Sequence, residues 1–152
     1  MLGQELRDRI ETCGGNVAAM ALVEGLYLDV DRQTAAVSCE CRNCKTCCDF
    51  QRAGHRLYVT GLELAHFAAK VGRVLIPSGG ACPYLDAESG CTVRQIRPLG
   101  CRTYFCREPQ GYDAAAVTER QLGRIKRFCD REGLPYVYVE WLEGLKLLAN
   151  RE

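Results

Sequence analysis

Four thiols crowd into eight residues in the stretch Cys41-Arg42-Asn43-Cys44-Lys45-Thr46-Cys47-Cys48, and Cys39 stands two positions before it. Two residues between cysteines let both thiolates of one tight turn grip the same ion or cluster. A zinc–sulfur bond of about 2.3 Å puts the sulfurs of a tetrahedral site roughly 3.8 Å apart, which a turn can supply. Cys47 and Cys48 are adjacent, and adjacent side chains of an extended backbone point to opposite sides. They serve two centres, or one ligates while the other packs. A second set follows at Cys82, Cys91, Cys101 and Cys106. Four plus four thiols can close two sites; one cluster can use four and leave the others as packing or spare ligands.

Charged residues sit close to these thiols. Arg42 and Lys45 lie inside the first block, where positive charge offsets thiolate charge; they read equally as solvated loop residues. Arg97 and Arg102 flank Cys101, and an arginine fork can donate to cluster sulfurs or backbone carbonyls and so tune a centre from outside its ligand set. The plainer reading pairs them with a carboxylate such as Asp86 or Glu88. His55 is the nearest nitrogen donor and is left out, because eight thiols already cover the ligand count. The sequence holds no nucleophile–base constellation, phosphate loop or dinucleotide fingerprint. Whether the chain is an enzyme stays open; any chemistry belongs to the metal centre.

The order of these motifs resembles the CxxCxxCC cysteine-cluster family, a zinc- or iron-chelating domain. The likeness runs from Cys41 to about Cys106. It includes the eight-residue block Cys41–Cys48, then Cys82-Pro83-Tyr84-Leu85, Cys91-Thr92-Val93 and Arg97-Pro98-Leu99-Gly100-Cys101-Arg102. One departure is Arg94, where many members have Tyr. The resemblance implies a metal site more than an activity. With the spacing, it makes Cys41, Cys44, Cys47, Cys48, Cys82, Cys91, Cys101 and Cys106 the expected ligand set, with Cys39 outside the motif but within reach.

The second block has irregular spacing, unlike the paired knuckles of a zinc ribbon, and Cys-x-x-Cys-x-x-Cys also opens the bacterial ferredoxin run. The expected cofactor is therefore an iron–sulfur cluster, [4Fe–4S], with Zn²⁺ as the alternative. In function this makes an electron-transfer protein or a cluster-bearing module of a modification system. The competing classes are a zinc protein whose ions are structural, and a nucleic-acid-binding zinc module.

The whole chain bounds these readings. At 152 residues it fits one domain and needs no crosslinks merely to be stable. It is 47% hydrophobic and 26% charged, with a net charge of +1, which speaks against generic polyanion binding. The charged N-terminus lacks the apolar run of a signal peptide, and no stretch of about 18 apolar residues offers a membrane span. The expected compartment is the reducing cytoplasm, where clustered cysteines bind metal rather than pair as disulfides. An odd count of eleven cysteines also fits disulfides badly.

Periodicity supplies the scaffold. Leu2, Leu6, Ile10 and Cys13 predict a first helix, Gly14-Gly15 ends it, and Asn16 caps a second through Glu24 or further. Leu26, Leu28 and Val30 alternate as a strand would, though helix is favoured. Leu57–Val59 predicts a short strand. Thr60 and Glu63 form a capping box for a helix to about Lys70, stopped by Gly72, in which His66 belongs to the scaffold. From Gly72 to Gly111 turn formers dominate, and a stretch this long needs something beyond packing to order it; Cys82 and Cys91 bracket a loop or short hairpin there. A helix over 113–132 puts Leu122, Ile125, Phe128 and Cys129 on one side. Opposite them Arg120, Arg124, Arg127 and Arg131 make a stripe that is a solvated face or meets phosphates or an acidic partner protein. Tyr136–Glu140 reads as extended, and a final helix follows with Trp141 as a core anchor. Cys13 and Cys129 fall in apolar stripes and read as packed thiols. The expected fold is mainly α, a small α+β or irregular single domain over 1–152, with terminal helices around a metal-organised cysteine-rich loop core.

Overall fold

The computed structural model describes residues 3–37, 48–105 and 108–149, without the side chains of Arg52 and Ala53. Cys39, Cys41, Cys44, Cys47 and Cys106 lie outside the described residues.

Helix α1 (Gly3–Gly14) and helix α2 (Val17–Ala36) form the first hairpin. Asn16 caps α2, its side-chain oxygen accepting the Ala19 N–H at 2.9 Å. The strand-like alternation at 26–31 gives way to helical period. Leu26, Tyr27 and Val30 turn inward with Ala19 and Val23, while Leu28 is left 55% exposed on the far side. After the short helix α3 (Phe50–Ala53) come strand β1 (Tyr58–Thr60) and helix α4 (Gly61–Val71), started by the expected capping box. Thr60 Oγ1 accepts the Glu63 N–H at 3.2 Å, and the Glu63 carboxylate accepts the Thr60 N–H at 3.0 Å. Strands β2 (Leu85–Asp86) and β3 (Gly90–Cys91) make a minimal hairpin, followed by a 3-10 turn at Arg94–Ile96. The stretch after it is not irregular, as its turn formers led us to expect. Helix α5 (Leu99–Thr103) starts where Pro98 pre-sets the backbone of a helix entry. Helix α6 (Ala114–Glu132), strand β4 (Tyr138–Glu140) and helix α7 (Trp141–Ala149) complete the chain.

The fold is mainly helical, and α4 is its centre: it packs on α1, α2 and α7. Ile10, Leu26, Leu62, Leu64, Phe67, Leu99, Ile125, Trp141 and Leu145 are essentially sealed from water and belong to one continuous core.

An internal repeat lies at this centre that periodicity alone did not reveal. The segments β1–α4 and β4–α7 are the same strand–helix unit, eighty residues apart: Tyr58-Val59-Thr60-Gly61-Leu62-Glu63 against Tyr138-Val139-Glu140-Trp141-Leu142-Glu143. β1 and β4 pair antiparallel about Val59 opposite Val139, so the two units face each other across a local two-fold axis. The hydrogen bonds obey it. Gly61 N–H donates to the Val137 carbonyl at 2.9 Å, and the equivalent Trp141 N–H donates to the Leu57 carbonyl at 2.8 Å. Tyr58 and Tyr138 stack on each other at 5.6 Å. The helices cross where Leu64 meets its counterpart Gly144, and a Cβ at Gly144 would lie 2.8 Å from Leu64 Cδ1.

Candidate metal centre

Cys48, Cys82, Cys91 and Cys101 all line one cavity of about 410 Å³. The end of the first cysteine block is tied to the start of the second by backbone. The Cys82 N–H donates to the Cys48 carbonyl at 2.8 Å, Asp49 bridges to Ala81, and the Gln51 N–H donates to Gly80 at 3.3 Å. Gly80 permits this approach, because a Cβ there would lie 2.7 Å from the Gln51 side chain.

Cys91 comes from the β2–β3 hairpin, paired opposite Leu85. The hairpin turns on Gly90, whose φ of +82° suits glycine, and on Asp86, whose carboxylate accepts the Ser89 N–H at 2.7 Å and the Glu88 N–H at 3.0 Å. Tyr84 of the Cys-Pro-Tyr-Leu motif anchors both sides. Its hydroxyl accepts the Leu75 N–H at 2.9 Å, and its carbonyl accepts the Thr92 N–H at 2.9 Å and the Thr92 hydroxyl at 2.8 Å.

Cys101 stands in α5, where each motif residue has a task. Leu99 N–H donates to Glu63 at 2.6 Å, tying the helix start to the buried carboxylate of α4. Gly100 lies against Leu57, so close that a Cβ would fall 2.4 Å from Leu57 Cδ1. Arg97 donates to the carbonyls of Arg94 at 3.1 Å and Cys101 at 3.2 Å. Arg102 donates to the carbonyls of Arg97 at 2.7 Å and Gln95 at 2.6 Å and to Asp31 at 2.8 Å, with its guanidinium over the Tyr27 ring. These forks therefore reach backbone carbonyls, and the carboxylate of Arg102 is Asp31 of α2 rather than Asp86 or Glu88.

Glu63 is the node sequence reasoning undervalued. It is 2% exposed and accepts from Thr60 N–H, Thr60 hydroxyl, Tyr27 hydroxyl and Leu99 N–H, all at 3.0 Å or less. Such compensation is what a buried carboxylate requires. Burial, with Glu63 alongside, holds the Tyr27 phenol well above its ordinary range, so it stays a donor. The capping box found the residue; its bonds to Tyr27 and Leu99 cross the fold and left no local signal.

Burial pushes the Cys82 thiol up, against hydrogen bonds from the Trp141 indole and the backbone that favour the thiolate; a charged Cys91 raises it further. Two thiolates in one apolar cavity repel, and a cation between them removes the conflict. The donor set and its lining of Leu57, Val93, Leu99, Leu122 and Trp141 suit a thiophilic metal or cluster. Among the described residues no three His, Cys, Asp or Glu side chains converge tightly enough to hold a metal. The four cysteines face one space without closing a coordination shell. His55 lines the same cavity, its ring between Phe50 and Tyr104. Cys13 and Cys129 are buried in the core away from it, and burial pushes the Cys13 thiol up to about 11. In the arginine stripe, Arg120, Arg127 and Arg131 are exposed, while Arg124 pairs with Asp29 of α2 at 2.7 Å. No helix among the described residues is long and apolar enough to cross a membrane.

A family model described as CxxCxxCC, "Putative zinc- or iron-chelating domain", matches residues 40–130. No curated protein and no solved structure matches the chain.

Proposed function

From the premise that the chain belongs to the CxxCxxCC family, a metal-chelating domain, we propose that its clustered thiolates hold an iron–sulfur cluster of the [4Fe–4S] type. We further propose that it serves electron transfer or acts as the cluster-bearing module of a modification system. The observation that carries this reading is the meeting of Cys48, Cys82, Cys91 and Cys101 on one cavity, although they come from three separate stretches of the chain. Cys41, Cys44, Cys47 and Cys106 complete the proposed set. When bound, the cluster would supply one-electron chemistry. The chain's own contribution is an apolar wall that limits water and a set of turns that fix the sulfurs. Thiolates stay available for such a role in a reducing compartment, and we place the protein in the cytoplasm. The exposed Arg120, Arg127 and Arg131 would offer an acidic partner protein a docking face.

Anaerobic purification followed by metal analysis and a visible spectrum tests the proposal. A brown protein with iron and acid-labile sulfide supports it. A colourless protein with stoichiometric zinc overturns the cluster and leaves a structural zinc domain.

A further inference from the structure

Trp141 is the single tryptophan of the chain, and it stands at the junction of β4 and α7. It is 1% exposed, packed edge-on against Phe67 at 4.9 Å, and held by its own N–H on the Leu57 carbonyl. An indole N–H can only donate, and when buried it needs an acceptor. The acceptor is a sulfur: Trp141 Nε1 lies 3.4 Å from Cys82 Sγ. The position is also where the internal repeat breaks its own symmetry, since the equivalent residue in the first unit is Gly61. Packing alone would be served by an aromatic ring without a polar atom. Here the polar edge is aimed at a thiol on the wall of the cysteine-lined cavity.

We infer that Trp141 is a positioning residue of the metal centre, its indole N–H holding the Cys82 sulfur toward the cavity and drawing charge from it when it ligates. The inference rests on the metal-binding reading above. A ligand sulfur that accepts a hydrogen bond is fixed in direction and less electron-rich, and donors of this kind set both the affinity and the reduction potential of thiolate-bound metals. Cys82 is well placed to be steered, because its backbone N–H is already fixed on the Cys48 carbonyl at 2.8 Å.

One tryptophan gives one indole signal in a nitrogen–proton correlation spectrum, so the test needs no assignment. The 152-residue chain is compared metal-free under a chelator and saturated with Zn²⁺, chosen because it is diamagnetic. Metal content is measured on the same samples. The expected result is a downfield move of the indole proton on saturation. Trp141→Phe, which keeps the ring and loses the donor, should bind Zn²⁺ roughly 10-fold more weakly. If it carries an iron–sulfur cluster, the variant should show a lower midpoint potential. A Trp141→Phe chain that does not fold leaves the wild-type spectrum to decide. An indole signal that stays still while Zn²⁺ binds in full overturns the inference and spares the metal reading. A chain that takes up neither zinc nor iron overturns both.

Discussion

At position 63 one carboxylate receives donors from α2, from the start of its own helix and from the helix that carries Cys101. Glu63→Gln keeps the shape but presents an amide N–H₂ to donors that need an acceptor. Leaving buried donors unmet costs about 1–3 kcal/mol each. We expect a loss of roughly 2–4 kcal/mol in urea unfolding of the metal-loaded protein, since more than one donor is affected. Gly100→Ala acts on the same turn by a steric route. With Leu57 Cδ1 at 2.4 Å from the new Cβ, either Leu57 or α5 must shift. We expect a cost of about 1–3 kcal/mol and reduced metal content, read by thermal unfolding and metal analysis. The cysteines should divide cleanly. Cys13→Ala or Cys129→Ala leaves metal content unchanged and costs about 1 kcal/mol or somewhat more for a small cavity. Cys44→Ser or Cys101→Ser should lower metal content and stability together, because ligand binding energy is also folding energy. Full occupancy in those two variants would refute the ligand assignment.

Among the elements, local chemistry was legible and long-range chemistry was not. The Asn16 cap, the Thr60–Glu63 box and the Gly72 stop, with φ of +81°, are each written in a few neighbouring residues and appear where expected. Alternation at 26–31 competed with the helical reading that the structure bears out, because a buried helix with one exposed leucine can mimic strand period. α5 was missed because its support comes from Glu63 and Asp31, far away in sequence. The loops from 72 to 111 looked ordered by metal alone; Tyr84, Asp86 and Arg102 share that task. This narrows what chelation should do. We expect metal removal to open protease sites within 72–96, while α4, α5 and α6 stay resistant. Limited proteolysis with and without a strong chelator checks this, and unchanged resistance throughout would make the metal peripheral.

On the scale of the whole molecule, His66 links α4 to α2 and makes stability depend on pH. It is 4% exposed, and its Nε2 lies 3.5 Å from Glu24 without forming a hydrogen bond. Burial holds its imidazole below the usual value, against the pull of Glu24. A depressed histidine binds its proton less readily folded than unfolded, so its contribution is complete above the unfolded value of about 6.5 and is lost as pH falls toward the folded one. Urea midpoints should therefore decline from pH 7 to 5, in steps set by the buffers chosen, and His66→Gln should decline less steeply. Parallel slopes for the two proteins would remove His66 from the account.

The pairing of β1 with β4 has a consequence in chain statistics. Val59 and Val139 are neighbours in space and eighty residues apart in the chain, and Cys82, Cys91 and Cys101 all lie between them. The strand pair is the neck of a closed ring, and the thiols are beads on that ring. Closing a flexible ring of this length costs on the order of 4 kcal/mol in configurational entropy. The two strand–helix units supply that closure through their own packing, so an incoming ion meets thiols already confined to a small volume. Their effective concentration for one another is set by the neck, and metal capture becomes a local event within a chain that has already brought its two strand–helix units together.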